Sequence, residues 1–274
     1  MEQQAKTDIK SLLRENFGIF VNISEGIGLR DDPFVVLDKN PIDALATELQ
    51  VLRGVGMGRR AAWRVSEKVS FCESARIVDK LTLEIRWPGE DKAEVATVSY
   101  YFDISASGLS IEHSNFIAYK EPKSKLALPF SLGWLHFNNV SDHEAKQPGS
   151  GCGIGYGTYG VKCNLFVYDK CLDRISSSPT DLDIQYEFEY ARRDISEYYA
   201  SVKPICSPAV VANFIETKLL VDDELSYLGV GAIANKFVKY RITCFAHPFH
   251  DRIANESKQY LMHLIEHHRA KSLH

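Results

Sequence analysis

Glycine occupies every second position through Gly149, Gly151, Gly153, Gly155 and Gly157, with Gly160 close behind. Alternate residues of a strand share a face, so this spacing describes a strand with one bare face and with Cys152, Ile154, Tyr156 and Thr158 on the other. Exposed backbone amides in such a run invite a phosphate-loop reading. The surrounding pattern is wrong for one: a Walker loop needs lysine followed by Ser or Thr, a dinucleotide loop needs a helix next, and here Val161 begins an apolar strand. The bare face is therefore expected to be a packing surface for a helix or another backbone, not an anion cradle. A second glycine group, Gly54, Gly56 and Gly58, follows a helical pattern and reads as a helix stop and a mobile turn.

The rest of the chain supplies short strands, hairpins and a few amphipathic helices. Residues 17–23 and 34–37 read as strands. Asn40-Pro41-Ile42-Asp43 offers a cap, a proline at the first helical position and an acid in the first turn, after which Leu45, Leu49 and Leu52 recur at helical spacing up to Gly54. Leu81, Leu83, Ile85 and Trp87 alternate up to Pro88-Gly89-Glu90-Asp91, and residues 95–104 return as the second arm of a hairpin. The polar, proline-bounded stretch 120–129 reads as a connector. Beyond it come a strand at 161–169, a helix opened by Asp181 with Ile184, Phe188, Ile195 and Tyr199 on one face, and a strand in which Val238, Tyr240, Ile242 and Cys244 alternate. A last helix over 252–270 aligns Ile253, Tyr260, Leu261, Leu264, Ile265 and His268; periodicity leaves 206–221 open between strand and helix. Together these predict an α+β fold, with antiparallel β-sheets and helices packed on one face, in two similar-sized units over 1–120 and 128–274. A Rossmann-type sheet is less favoured.

Chemistry is harder to find. With 32 basic and 36 acidic residues intermixed, the net charge of -4 sets up no positive field for nucleic acid. The first twenty residues break every apolar stretch with a charge, which predicts no leader, no membrane span and a cytoplasmic location. Cys72, Cys152, Cys163, Cys171, Cys206 and Cys244 lie far apart and read as reduced, mostly buried thiols; Cys163 and Cys171 lack the paired spacing of a zinc site. His263, Glu266 and His267 match an H-x-x-E-H pattern, in which two histidines one turn apart bind zinc, but without the further carboxylate ligand they read as a hydrated helix face. His247, His250 and Asp251 have ligand-like spacing; the plainer reading makes Asp251 the cap of the last helix and leaves the histidines on a loop. Asp222 and Asp223 read as a solvated turn. Tyr100-Tyr101-Phe102 and Tyr198-Tyr199 suit either a core or an interface. No catalytic, cofactor-binding or metal residue is assigned, and no cofactor is expected.

From Leu128 to His268 the chain resembles a domain of uncharacterised bacterial proteins. The resemblance is carried by Asp142-His143-Glu144-Ala145-Lys146-Gln147-Pro148-Gly149, the glycine and tyrosine run through Gly160, and Val161-Lys162-Cys163-Asn164-Leu165-Phe166-Val167-Tyr168-Asp169. In fold this is similar to the helix-backed antiparallel sheets of the MOG1/PsbP-like class, which implies a binding or accessory module. The expectation is a non-enzymatic interaction or accessory protein that presents a sheet face or edge to a protein partner, with a homo-oligomer left open. The alternatives are an enzyme whose histidines and acids converge from distant positions, and a small-ligand binder using a cleft between the halves.

Overall fold

Capping chemistry sets the first elements of the computed structural model, which describes residues 8–88, 95–112 and 116–272. The side chain of Asp8 accepts from the Lys10 amide and Gly18 closes the other end of α1 (Ile9–Phe17) in the left-handed region, so the first residue of the strand expected at 17–23 is instead the last of a helix. The alternation of Ile19, Val21 and Ile23 is real, since all three are buried. They lack a ladder, however: a single bridge joins Ile23 to Val36, beside the short β1 (Phe34–Val35).

Asn40 caps α2 (Pro41–Gly58) by accepting from the Ile42 amide at 2.8 Å. This helix does not stop at Gly54 as expected. Gly54 and Gly56 lie inside it and are buried, because a Cβ at these positions would overlap Leu13 and the Trp63 indole respectively. They are close-packing sites, not a turn. Beneath α2 lies a sheet of β2 (Ala62–Glu73), β3 (Arg76–Arg86) and β4 (Ala96–Asp103), ordered β1-β4-β3-β2, with β1 parallel to β4 and the other pairs antiparallel. The expected hairpin is present as β3 and β4, pairing Ile85 with Ala96; its turn residues Gly89, Glu90 and Asp91 lie outside the described residues, as do the first seven of the N-terminal stretch. Leu45, Leu49, Leu52, Leu81, Leu83, Tyr100 and Phe102 fill this core.

The chain divides into two units at 116/117, Met1–Phe116 and Ile117–His274. The connector read at 120–129 is instead part of a small hairpin, β5 (Ile117–Lys120) with β6 (Ala127–Pro129), whose turn buries Glu121, Ser124 and Leu126. In the second unit follow β7 (Ser131–Leu132), β8 (Leu135–Asp142), β9 (Cys152–Thr158), β10 (Val161–Tyr168), α3 (Leu182–Tyr198), β11 (Val202–Pro204), β12 (Ala209–Val211), β13 (Phe214–Val221), β14 (Glu224–Ile233), β15 (Lys236–Phe245) and α4 (Pro248–Ser272). The stretch 206–221, left open by periodicity, therefore holds two strands, β12 and β13, and no helix. The sheet runs β11-β13-β14-β15-β10-β9-β8-β7, with β12 also on β13, and all its pairs are antiparallel.

The α+β class with antiparallel sheets is what the structure shows, but this unit's helices are shared between two faces. Ile184, Phe188, Ala191 and Ile195 of α3 pack on Ile215, Leu219, Leu228 and Val230, each large side chain contributing about 1.5–3 kcal/mol by burial. Strand alternation sends Glu216, Tyr227 and Tyr240 the other way; Glu216 and Tyr227 bind Lys258 and Asp251 of α4, and Tyr240 donates to Glu216. On α4, Ile253, Ala254, Leu261, Met262 and Ile265 are buried, whereas Tyr260, expected on the same side, is exposed.

Candidate functional site

Reading across the second sheet along its register exposes an asymmetry. One row runs Ile215, Val230, Lys239, Phe166, Gly153, Ser141; the next runs Thr217, Leu228, Arg241, Asn164, Gly155, Asn139. The first two members of each row lie under α3 and are buried. At the third, a cation appears, and beyond it the face carries glycine, asparagine and one half-buried phenylalanine. α3 covers β13 and β14 and meets β10 only at its Tyr168 end, so that among the described residues the rest of β10, β9 and β8 have no helix on this side. The result is a trough with α3 as its wall, Lys239 and Arg241 along the foot of that wall, and the bare strand β9 in its floor.

The floor corrects the expectation that a helix or backbone covers the glycines. A bulge between Phe137 and Asn139 turns both Asn138 and Asn139 onto the glycine face, and a Cβ on Gly155 would overlap the Asn139 amide. The closest backbone approach within this run is at the entry to β9, where Gly151, at φ 60°, lies against the Val167 carbonyl. The amides of Gly149 and Gly151 do hold an anion, one from the chain itself. Both donate to Glu144 Oε2, at 3.0 and 2.9 Å. The Lys123 ammonium first and the Gly151 amide second hold the Glu144 carboxyl below its usual range.

The wall carries aromatic side chains on the solvent side, where a helix ordinarily shows polar ones. Tyr186, Tyr190 and Tyr198 are 69%, 45% and 82% exposed. Lys170 stands 4.6 Å from the Tyr190 ring centroid with Arg193 at 5.4 Å, while Arg241 lies 4.6 Å over Tyr199 and donates to its hydroxyl at 3.1 Å. At the base, Glu187 is buried and accepts from both the Tyr168 hydroxyl and Lys170. Burial, reinforced by the Glu187 charge, pushes the Tyr168 hydroxyl far above its usual range, so it donates and does not ionise.

The other candidates do not converge into a site. His247 is exposed and caps α4, its Nδ1 accepting from the Phe249 amide at 3.2 Å. Asp251, expected to be that cap, lies within the helix and binds it to the sheet, accepting from Tyr227 Oη at 2.6 Å and Lys218 Nζ at 2.7 Å. His250 is buried, not on a loop. Its ring meets Phe245 and Phe249 edge-on, neither nitrogen has a hydrogen-bond partner among the described residues, and burial pushes its pKa down. His263, Glu266 and His267 are exposed on α4. Asp222 and Asp223 form the exposed turn between β13 and β14, with Asp222 accepting from the Ser201 amide at 2.9 Å. Among the described residues no three His, Cys, Asp or Glu side chains are grouped to hold a metal, and no helix is long and apolar enough to cross a membrane. Cys152, Cys163 and Cys244 are buried, while Cys72, Cys171 and Cys206 are exposed, fewer buried than expected.

Sequence reasoning passed over Lys239 and Arg241. The signal was present as the residues alternating with Val238, Tyr240 and Ile242, since a strand that buries one set must turn the other to the opposite face. The chain matches no protein-family model and no curated protein. Among solved structures it is similar to the apo structure of the immunity protein TplEi of the T6SS from Pseudomonas aeruginosa, with 10% identity and a TM-score of 0.27 over 82% of this chain and 83% of that one.

Proposed function

We propose that the chain is a non-enzymatic interaction protein, and that the α3 trough is where a protein partner docks. The observation that carries this reading is the outward placement of Tyr186, Tyr190 and Tyr198 on α3 beside an open sheet face. Tyrosine provides large contact area with few rotatable bonds and a polar tip, and arginine a planar guanidinium that stacks and hydrogen-bonds, which is why both are enriched among the residues that dominate the energetics of protein interfaces. The sheet edges are less suited to the task. β7 and β11 are short, and β2, the 12-residue edge of the first sheet, carries a bulge after Val65 and points Lys68 inward, both of which discourage strand addition.

The test is a photo-crosslinking residue placed at Tyr198 or Tyr186, and at His263 on α4 as a control, in cells that express the chain. A single discrete crosslinked species at the two α3 positions and none at His263 is expected, with capture from Tyr186 reduced at least about thirtyfold by Tyr198→Ala if Tyr198 is a hot spot. Equal crosslinking at all three positions, or none on α3, counts against the reading.

A further inference from the structure

Lys239 is the one member of its cross-sheet row that carries a charge, lying between Val230, under α3, and Phe166, half-buried at the margin of the α3 core. Its ammonium stands 5.1 Å from the Phe166 ring centroid and 5.5 Å from that of Tyr168. It opens into a recess of about 420 Å³ between α3 and the turn at residues 147–150, with Tyr190 on the far side. Within this recess the one carboxylate and one backbone donor are already engaged. Glu187 has one oxygen on Tyr168 and the other on Lys170, and the Gly149 amide is directed to Glu144. Glu187 and Asp194 act on the Lys239 charge only through space, and no ion pair or hydrogen bond forms at its ammonium among the described residues. Ring faces offset only part of what an ammonium loses on leaving water. Burial accordingly pushes the Lys239 pKa down.

We infer that the Lys239 recess is a carboxylate site, filled by an acidic side chain of the protein that docks on the α3 trough. The inference rests on the docking reading and adds the partner's chemistry to it. A single negative charge matches the single unpaired cation, while aromatic walls suit the methylene stem of Asp or Glu. A dianion such as phosphate is disfavoured, because Lys170 is already neutralised and the Glu187 carboxylate would face the second charge.

The experiment follows the Lys239 side chain by NMR of protein labelled at the lysine ε-carbons, the resonance being assigned by its absence in Lys239→Arg. The probes are N-acetylaspartate α-methylamide, its asparagine counterpart and inorganic phosphate. Expected is a saturable shift of the Lys239 signal with the aspartate probe alone, accompanied by a rise in the Lys239 pKa. No saturable shift, an equal shift with the asparagine probe, or tighter saturation by phosphate overturns the assignment. In the crosslinking assay Lys239→Gln should reduce capture from Tyr198 by about tenfold or more, the weight of a hydrogen bond to a charged group. Undiminished capture by Lys239→Gln overturns the carboxylate site and leaves the docking face standing. Absence of capture by the wild type while the aspartate probe still saturates Lys239 instead removes the docking face.

Discussion

Lys68 and Lys239 both leave a sheet on the side that a helix covers, and they end in opposite circumstances. The Lys68 side chain is 5% exposed and reaches two carboxylates, Glu48 from α2 at 2.9 Å and Asp79 from β3; Ser110 also donates to Asp79 at 2.9 Å. Lys239 reaches only ring faces. A cation whose partners come from two different elements fixes those elements to each other, and in an edge strand it also prevents a further strand from pairing. A cation left with aromatic rings beside an open recess fixes nothing in its own fold. The pairing, more than the burial, separates architecture from a surface kept for something else.

The most severe way to probe that contrast is to remove Lys68. Lys68→Met leaves the buried Asp79 carboxylate without a counter-charge and the buried Glu48 carboxyl without a hydrogen-bond donor, and should destabilise the first unit by about 3–5 kcal/mol. Hydrogen exchange in β2 and β3 should accelerate while that in β14 and β15 does not; uniform acceleration, or none, would contradict the assignment.

The same cluster makes stability depend on pH. Burial raises the Glu48 carboxyl from its usual 4.5 to about 8, against the pull of the Lys68 charge and with the Asp79 charge adding to the rise. The folded state thus keeps a proton that the unfolded chain releases above about pH 4.5. Its stabilising contribution is fully present below pH 4.5 and is lost as pH rises to about 8, at a slope of at most about 1.4 kcal/mol per pH unit. Chemical denaturation across that window should show the slope for wild type, and Glu48→Gln, which cannot titrate, should flatten it. Equal slopes would refute the linkage.

The contrast between filled and open faces sharpens on β9, where Gly151 meets backbone and Gly155 meets the exposed side chains of Asn138 and Asn139. Gly151→Ala combines a left-handed backbone with overlap at the Val167 carbonyl and should cost about 1–3 kcal/mol, whereas Gly155→Ala lets Asn139 swing away and should cost less than about 1 kcal/mol. Thermal melts of the two variants that coincide would put the floor of the trough in the packed core. The smallest effect belongs to Lys239→Met, expected to leave stability within about 0.5 kcal/mol, since it removes no ion pair. A loss as large as that from Lys68→Met would make Lys239 a structural lysine and end the comparison.

Much of this architecture is legible in the residues. The α2 cap, the β3–β4 alternation, the Ile184, Phe188 and Ile195 stripe and the alternation along β15 each report burial on one side of a local element, which composition and period encode directly. The failures share a cause. At Gly54 and Gly56 the residue type signals an end, while Leu13 and Trp63, brought in from other elements, give glycine a packing role. At residues 17–23 a β-like alternation is buried without a ladder to join.

For the candidate site, the chain alone determined that β9 has a bare face, that Tyr198 and Tyr199 sit at the end of a helix, and that β15 turns Lys239 and Arg241 away from Val238 and Tyr240. Only the tertiary structure decided that α3 reaches β10 no further than its Tyr168 end, that Glu187 is engaged by Tyr168 and Lys170, and that Glu144 fills the Gly149 and Gly151 amides. Local sequence sets which side of a strand or helix a residue occupies, because period is a property of the backbone. Whether a charge on that side meets a partner depends on residues tens of positions away, and their distance is set by how the layers pack.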